Sequence, residues 1–240
     1  MEWSTAPKTL SQCFLQTLSP DLEPRRRAES QLSGLAAHPG FGLAVLCLVS
    51  LPNVDDLIRI AAAINFKYHL RYHWTSSPDP QPYPPIFDAK KSEIKSHIVR
   101  LMVASSSSPR IQSQLGEALA IIGKHDFPKS WPAILLDLVA HLWAAQDYAP
   151  INGILSTANS IFKKFRYEWK TNDLLLDLKY CLDEFAAPLL KIFLKTASVI
   201  PANLNSADTL CPLIESQRLC CREFFTPSIF KNCLNFLRTT

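Results

Sequence analysis

The chain has 240 residues, with 48% hydrophobic and 19% charged side chains, enough apolar material for a large core and too much for extended disorder. Only 6 residues are Gly against 18 Pro, which argues against glycine-rich phosphate cradles and against a fold built on many tight β-turns. Lys and Arg number 25 and Asp and Glu 21, a net charge of +4, weaker than the clustered excess of a nucleic-acid binder.

Helical periodicity dominates, and no convincing alternating strand is found. Residues 8–18 form a first helix and Leu22–Leu35 a second, with Pro24 in its first turn, where a missing N–H costs nothing. Phe41–Leu51 follows and stops before Pro52. Asn53 is expected to cap a long helix, Val54–Trp74, with Asp55 and Asp56 favourable at its positive end. Thr75–Asp88 (TSSPDPQPYPPIFD) holds five prolines and reads as an extended loop. Helices resume at 89–104, break at Ser105–Ser108 with Pro109, and continue over 110–124, where Ile111, Leu115, Ala118, Leu119 and Ile122 make a stripe.

After HDFPKSWP come helices at 132–146 and 151–170. In the latter, Ile151, Ile154, Leu155, Ala158, Ile161, Phe162, Phe165 and Trp169 share one face. Lys163, Lys164 and Arg166 lie largely off that stripe and read as a solvated basic cluster. Residues 173–197 form a helix that Pro188 is expected to kink or split, and the last helix lies near 207–222. The longest apolar stretch, about Phe41–Leu51, is well short of the ~20 residues needed to cross a bilayer, and MEWSTAPKTLSQ is not a signal peptide. The expectation is a soluble intracellular chain with no membrane or nucleic-acid partner.

The helices fall into pairs near 8–35, 41–74, 89–124, 132–170 and 173–222. A two-helix unit recurring about every 40–47 residues is the signature of HEAT-type repeats. The fold class expected is therefore all-α, a HEAT-repeat α-solenoid of about five helix pairs, because a single pair cannot bury both of its faces.

Enzyme chemistry finds no foothold. GxGxxG, Walker-type and GxSxG motifs are absent, and the carboxylates are scattered. His69 and His73 stand at i, i+4 but lack the Glu of HExxH, and Arg71 between them disfavours a cation, so they read as surface histidines with no metal. No cofactor is expected. Cys13, Cys47, Cys181, Cys211, Cys220, Cys221 and Cys233 contain no CxxC pair and read mostly as buried reduced thiols. In DFPKSWP, Pro128 and Pro132 punctuate a turn, Asp126 can cap, and Phe127 and Trp131 plug the space between repeats. The helix 54–74 offers a binding surface: Arg59, Lys67 and Arg71 lie on one stripe, and Asn65, His69 and His73 on a parallel one. Basic groups there suit an acidic partner.

Three stretches carry a resemblance: LEPRRRAESQL from Leu22, IRIAAAINFKYHLRYHW from Ile58, and DFPKSWPAILL from Asp126. In that order they resemble the N-terminal region of the importin-β (karyopherin) family. Downstream, INGILSTANSIFKKFRYEWKTNDL and LKYCLDEFAAPL resemble the branch that returns importin-α to the cytoplasm. The resemblance covers residues 8–222. It implies a non-enzymatic nuclear transport receptor, shuttling between nucleus and cytoplasm and passing the nuclear pore. It implies the GTP form of Ran as partner, importin-α as cargo, and nucleoporins as a further partner. Arg26, Asn65, Lys67, Tyr68, Arg71, Gln112 and Glu117 are the residues it suggests for Ran. The implied division is an importin-β N-terminal-type domain over 1–107 and continuing repeats over 108–222. Family members are several times longer, so the chain corresponds to an N-terminal part. Residues 223–240 depart from the family pattern, and a shifted reading frame after Arg222 is the expected cause. A HEAT scaffold that never meets Ran, or a non-functional truncated product, are the alternatives.

Overall fold

The structure is a computed structural model and describes residues 6–75, 85–104, 108–167 and 171–224. Most of the proline-rich loop, Ser105–Ser107, Trp169 and the tail from 225 onward lie outside the described residues. Helices α1 (Ala6–Thr17), α2 (Leu22–Ala36), α3 (Phe41–Ser50), α4 (Asp56–His73), α5 (Asp88–Ala104) and α6 (Pro109–Asp126) are followed by α7 (Ala133–Ala144), α8 (Tyr148–Ile161), the short α9 (Lys164–Tyr167), α10 (Asn172–Val199) and α11 (Ala207–Phe224). Among the described residues there is no strand. The architecture is the all-α HEAT-repeat type, and four of the five expected pairs, α1 with α2, α3 with α4, α7 with α8 and α10 with α11, pack as partners.

The helices gather into two compact units. The first holds residues 1–101 and 108–122, and the second 102–107 and those from 123 onward. In the first unit α1 touches α2, α3 and α4. Leu10 and Phe14 of α1, Leu32 of α2, Val45 and Leu48 of α3, and Ile58, Ala62, Phe66 and Leu70 of α4 are buried. The α4 set recurs every four residues, so the stripe read from sequence is the stripe that packs. Each such large side chain contributes about 1.5–3 kcal/mol of burial. The cap of α4 differs from expectation. Asp55, not Asn53, is the N-cap, its carboxylate accepting the Leu57 N–H at 2.8 Å. Asn53 lies too far ahead of the first helical turn to reach an orphan N–H.

The second unit departs from the sequence expectation in three places. The helix expected at 151–170 starts earlier, at Tyr148, with Pro150 tolerated in its first turn, and stops at Ile161. There the Phe165 N–H bonds the Phe162 carbonyl at 3.1 Å, a tight turn that sends Lys164 inward. α10 is not split: it runs unbroken for 28 residues through Pro188. Leu174, Leu178, Cys181, Phe185, Leu189 and Ile192 of α10 form one buried face, and packing along the whole stripe outweighs one lost backbone bond. By length and composition Asn172–Asn203 is apolar enough to cross a membrane, which the run-length criterion missed. Its other face carries Lys179, Asp183, Lys191 and Lys195, all exposed, so it reads as an amphipathic solenoid helix. Cys211 is exposed, unlike the buried Cys13, Cys181 and Cys220, so the thiols are not uniformly core residues.

Polar ties fix the register of α8 against α11. Asn152 Nδ2 donates to the Pro212 carbonyl at 2.9 Å, and Ser216 Oγ donates to Asn152 Oδ1 at 2.5 Å. Close approach fixes α8 against the end of α5. A Cβ on Gly153 would lie 2.6 Å from the Val103 carbonyl oxygen and 2.7 Å from its Cα. Backbone cannot step aside as a flexible side chain can. Gly153→Ala is therefore expected to destabilise by about 1–3 kcal/mol despite the better helix propensity of Ala. Urea unfolding followed by circular dichroism checks this, and a stabilised variant would show the contact to be looser than drawn.

Candidate partner surface on helix α4

The surface on α4 begins with what the core leaves over. With Ile58, Ala62, Phe66 and Leu70 turned inward, Ile64, Tyr68 and Tyr72 fall at four-residue steps on the outside, and all three are exposed. Arg71 is exposed beside them, its guanidinium 5.6 Å from the Tyr68 ring centre. Lys67 Nζ lies 5.2 Å from the same ring, so one phenol ring has two cations near it. Sequence reasoning found Tyr68 and Arg71 but missed Ile64 and Tyr72. The signal was present, since these residues stand a turn apart opposite the core stripe.

The expected basic stripe divides once its partners are seen. Arg59 is held inside the fold, Nε donating to the Val49 carbonyl at 2.9 Å and Nη1 to Asp56 at 2.8 Å. That bond satisfies a carbonyl at the end of α3, so Arg59 ties α4 to α3. Lys67 is also engaged, donating to Gln114 Oε1 at 2.8 Å and facing Glu117 Oε2 at 3.5 Å on α6. Arg71 alone of the three basic residues is exposed.

A groove of about 470 Å³ adjoins the ladder, lined by Phe14 of α1, Leu32 and Ala36 of α2, and Ile64, Tyr68 and Tyr72 of α4. His69 and His73 line it too, correcting their reading as surface histidines. His73 is buried, and the rings lie 4.9 Å apart. The His69 ring stands edge-on to Phe41 at 5.2 Å. Burial, aided by His73, lowers the pKa of His69 from 6.5 to about 4, and burial lowers that of His73. Asn65 Oδ1 and His69 Nδ1 are buried with no hydrogen-bond partner among the described residues. No cluster of His, Cys, Asp and Glu suited to a metal ion exists among the described residues.

The other expected residues are spread more widely. Arg26 is exposed on α2, and Gln112 lies on α6, ahead of Gln114 and Glu117 in the chain. The structure thus brings together Lys67, Tyr68, Arg71 and Glu117 and shows no contact between these and Arg26. In the DFPKSWP turn of the second unit, Phe127 is buried against Phe162, with ring centres 6.4 Å apart, and precedes a cis peptide to Pro128. Asp126 ends α6 and does not start α7, whose N-cap is Pro132. Trp131 is half-buried, its N–H bonded to the Pro128 carbonyl at 3.2 Å. Lys164, expected in a solvated cluster, is buried. It donates to the Phe127 carbonyl at 2.5 Å and pairs with Asp177 at 3.0 Å.

Comparison with known proteins completes the picture. Residues 28–104, which contain all of α4, match the Importin-beta N-terminal domain model, and residues 161–232 match the Cse1 model. The second match runs beyond Arg222, where the sequence was expected to leave the family pattern. Exportin-2 of Homo sapiens is 36% identical over 227 residues, 94% of this chain and 23% of that protein. Exportin-2 of Oreochromis niloticus is 36% identical over 219 residues, 91% of this chain and 22% of that protein. A solved structure, the exportin Cse1 in its cargo-free, cytoplasmic state, matches with a TM-score of 0.83 and 26% identity, over 98% of this chain and 25% of that one. The chain spans less than a quarter of the length of these curated relatives. Helix order, domain matches and relatives agree that the chain belongs to the importin-β family and is similar to the N-terminal part of its exportin-2 members.

Proposed function

We propose that the chain is the N-terminal, partner-binding part of a nuclear export receptor. It binds the GTP form of Ran through the α4 surface and takes part in returning importin-α from nucleus to cytoplasm. The observation that carries this reading is the coincidence of the importin-beta N-terminal match with α4, whose outer face presents Tyr68, Tyr72 and Arg71 unpacked. Exposed aromatic and arginine side chains beside an apolar groove are the residue types that dominate binding energy at interfaces. Lys67 and Glu117 stand at the edge of the same surface, and Asn65, Arg26 and Gln112 are assigned to its periphery. The N-terminal-type domain is placed at 1–107 and the continuing repeats at 108–222. The role is binding rather than catalysis, in a chain that shuttles between nucleus and cytoplasm, with nucleoporins met at the pore.

A solenoid that binds two partners couples them if each favours the same curvature. Titration of the purified chain with Ran carrying a non-hydrolysable GTP analogue, and with Ran-GDP, with and without importin-α, tests the reading. Selective binding of the GTP form supports it, whereas equal binding of both forms, or of neither by a folded helical sample, would turn it towards a scaffold without Ran. Tyr68→Ala and Arg71→Glu are each expected to weaken the GTP-form complex about tenfold, the scale of a central interface residue. Both side chains are exposed, so circular dichroism should be unchanged. Full affinity in both variants would move the interface off α4.

A further inference from the structure

The Lys67–Glu117 pair has the geometry of an internal stand-in for a partner. Lys67 Nζ holds Gln114 Oε1 at 2.8 Å, whereas its distance to Glu117 Oε2 is 3.5 Å, long for a charge-assisted hydrogen bond. The Lys67 side chain is 13% exposed and that of Glu117 is 47% exposed. The cation is thus nearly covered, and the carboxylate beside it is half in water and loosely held. Gln114 keeps the ammonium in place without neutralising it. Beside this point lies the Tyr68 ring, with Lys67 Nζ at 5.2 Å and the Arg71 guanidinium at 5.6 Å from its centre. The adjoining groove, which Tyr68 also lines, has Glu29 of α2 as its one carboxylate among the described residues.

We infer that Glu117 is a built-in competitor: an acidic side chain of the incoming partner displaces it from Lys67, so Glu117 restrains affinity at the α4 surface. This rests on the proposed function and adds the chemistry of the contact, a carboxylate meeting Lys67 and Arg71 together. At this separation, with its carboxylate half in water, the pair is weak, and a partner carboxylate that meets Lys67 and Arg71 together faces two cations where Glu117 faces one. Because Gln114 holds the ammonium, removing Glu117 frees charge and does not free the side chain.

The prediction opposes the one for a simple contact residue. Glu117→Gln is expected to tighten binding of the GTP form of Ran about two- to fivefold, with a faster association rate and a steeper loss of affinity with salt. Lys67→Gln is expected to weaken binding, and Glu117→Gln in the Lys67→Gln background to give no gain. Surface plasmon resonance of the whole chain and the three variants, at low and moderate salt, reads all of this. If the unaltered chain binds and Glu117→Gln binds equally or more weakly, the inference is overturned while the proposed function stands. A gain that persists without Lys67 also overturns it, because Glu117 would then act by general repulsion. If no variant binds in a GTP-dependent way, the proposed function fails and the inference with it.

Discussion

Lys164→Met is expected to destabilise the second unit by about 3 kcal/mol, the scale for removing one partner of a buried charge pair. The substitution keeps an unbranched chain of similar reach, so little packing is lost. What it removes is polar. The Lys164 side chain is 6% exposed and Asp177, its partner at 3.0 Å, 18%. The same ammonium donates to the Phe127 carbonyl at 2.5 Å and lies 5.6 Å and 5.3 Å from the Phe127 and Phe165 ring centres. One cation therefore answers a carboxylate from the first turns of α10 and a carbonyl from the turn between α6 and α7. Without it, Asp177 is left charged in a poor solvent and the carbonyl is orphaned.

The double variant separates charge from packing. Replacing Asp177 by Leu in the Lys164→Met background removes the unpaired carboxylate, leaving only the orphaned carbonyl. Part of the loss should return, about 1–2 kcal/mol, as when buried ion pairs are exchanged for apolar groups. Urea unfolding of the whole chain, followed by far-ultraviolet circular dichroism, gives both numbers. A single-variant loss below about 0.5 kcal/mol would mean that the pair is solvated like a surface bridge. A double variant as unstable as the sum of the two singles would mean that the residues act independently.

Lys164 also shows where sequence reasoning stops. Helical stripes were legible because burial imposes a 3.6-residue period, and Ile58, Ala62, Phe66 and Leu70 pack as their spacing requires. Helix order and the pairing of helices followed from the same period. Lys164 looked solvated because it lay off the stripe of a helix assumed to run from 151 to 170. The break after Ile161 rotates it inward, and no local pattern announces that break: the partners, Phe127 and Asp177, lie 37 and 13 residues away. Arg59 and Lys67 misled in the same manner. Spacing placed them on an exposed stripe, but whether a cation is free depends on what a neighbouring helix offers, and Val49, Gln114 and Glu117 engage these two. Arg71, with no such neighbour shown, remains exposed as read. The cap of α4 failed by two residues for a simpler reason, since Asn53 and Asp55 are both good cap residues and only backbone geometry chooses.

Acidification from pH 7 to below pH 4 is expected to remove about 3 kcal/mol of stability through His69 alone, because folding lowers its pKa from 6.5 to about 4. Burial among Phe41, the neighbouring His73 ring and the walls of the groove disfavours the imidazolium, lowering the pKa from 6.5 to about 4. The unfolded chain therefore takes up this proton near pH 6.5, and the folded chain only near pH 4. Between those values the unfolded state binds more protons, so stability rises with pH across the window. The contribution is whole above 6.5, falls steadily below it, and is gone once pH drops under the folded value. His73, also lowered by burial, acts in the same direction. Glu29 of α2 is the carboxylate that lines the same groove, among the described residues. His69→Gln removes the titration while keeping a polar side chain of moderate size. Its absolute stability will differ, so the informative quantity is the slope: urea midpoints measured from pH 7 to pH 4.5 should fall less steeply than in the unaltered chain. Parallel slopes would mean that His69 is hydrated in both states, and the buried histidine pair beside the α4 surface would then have to be redrawn as open to water.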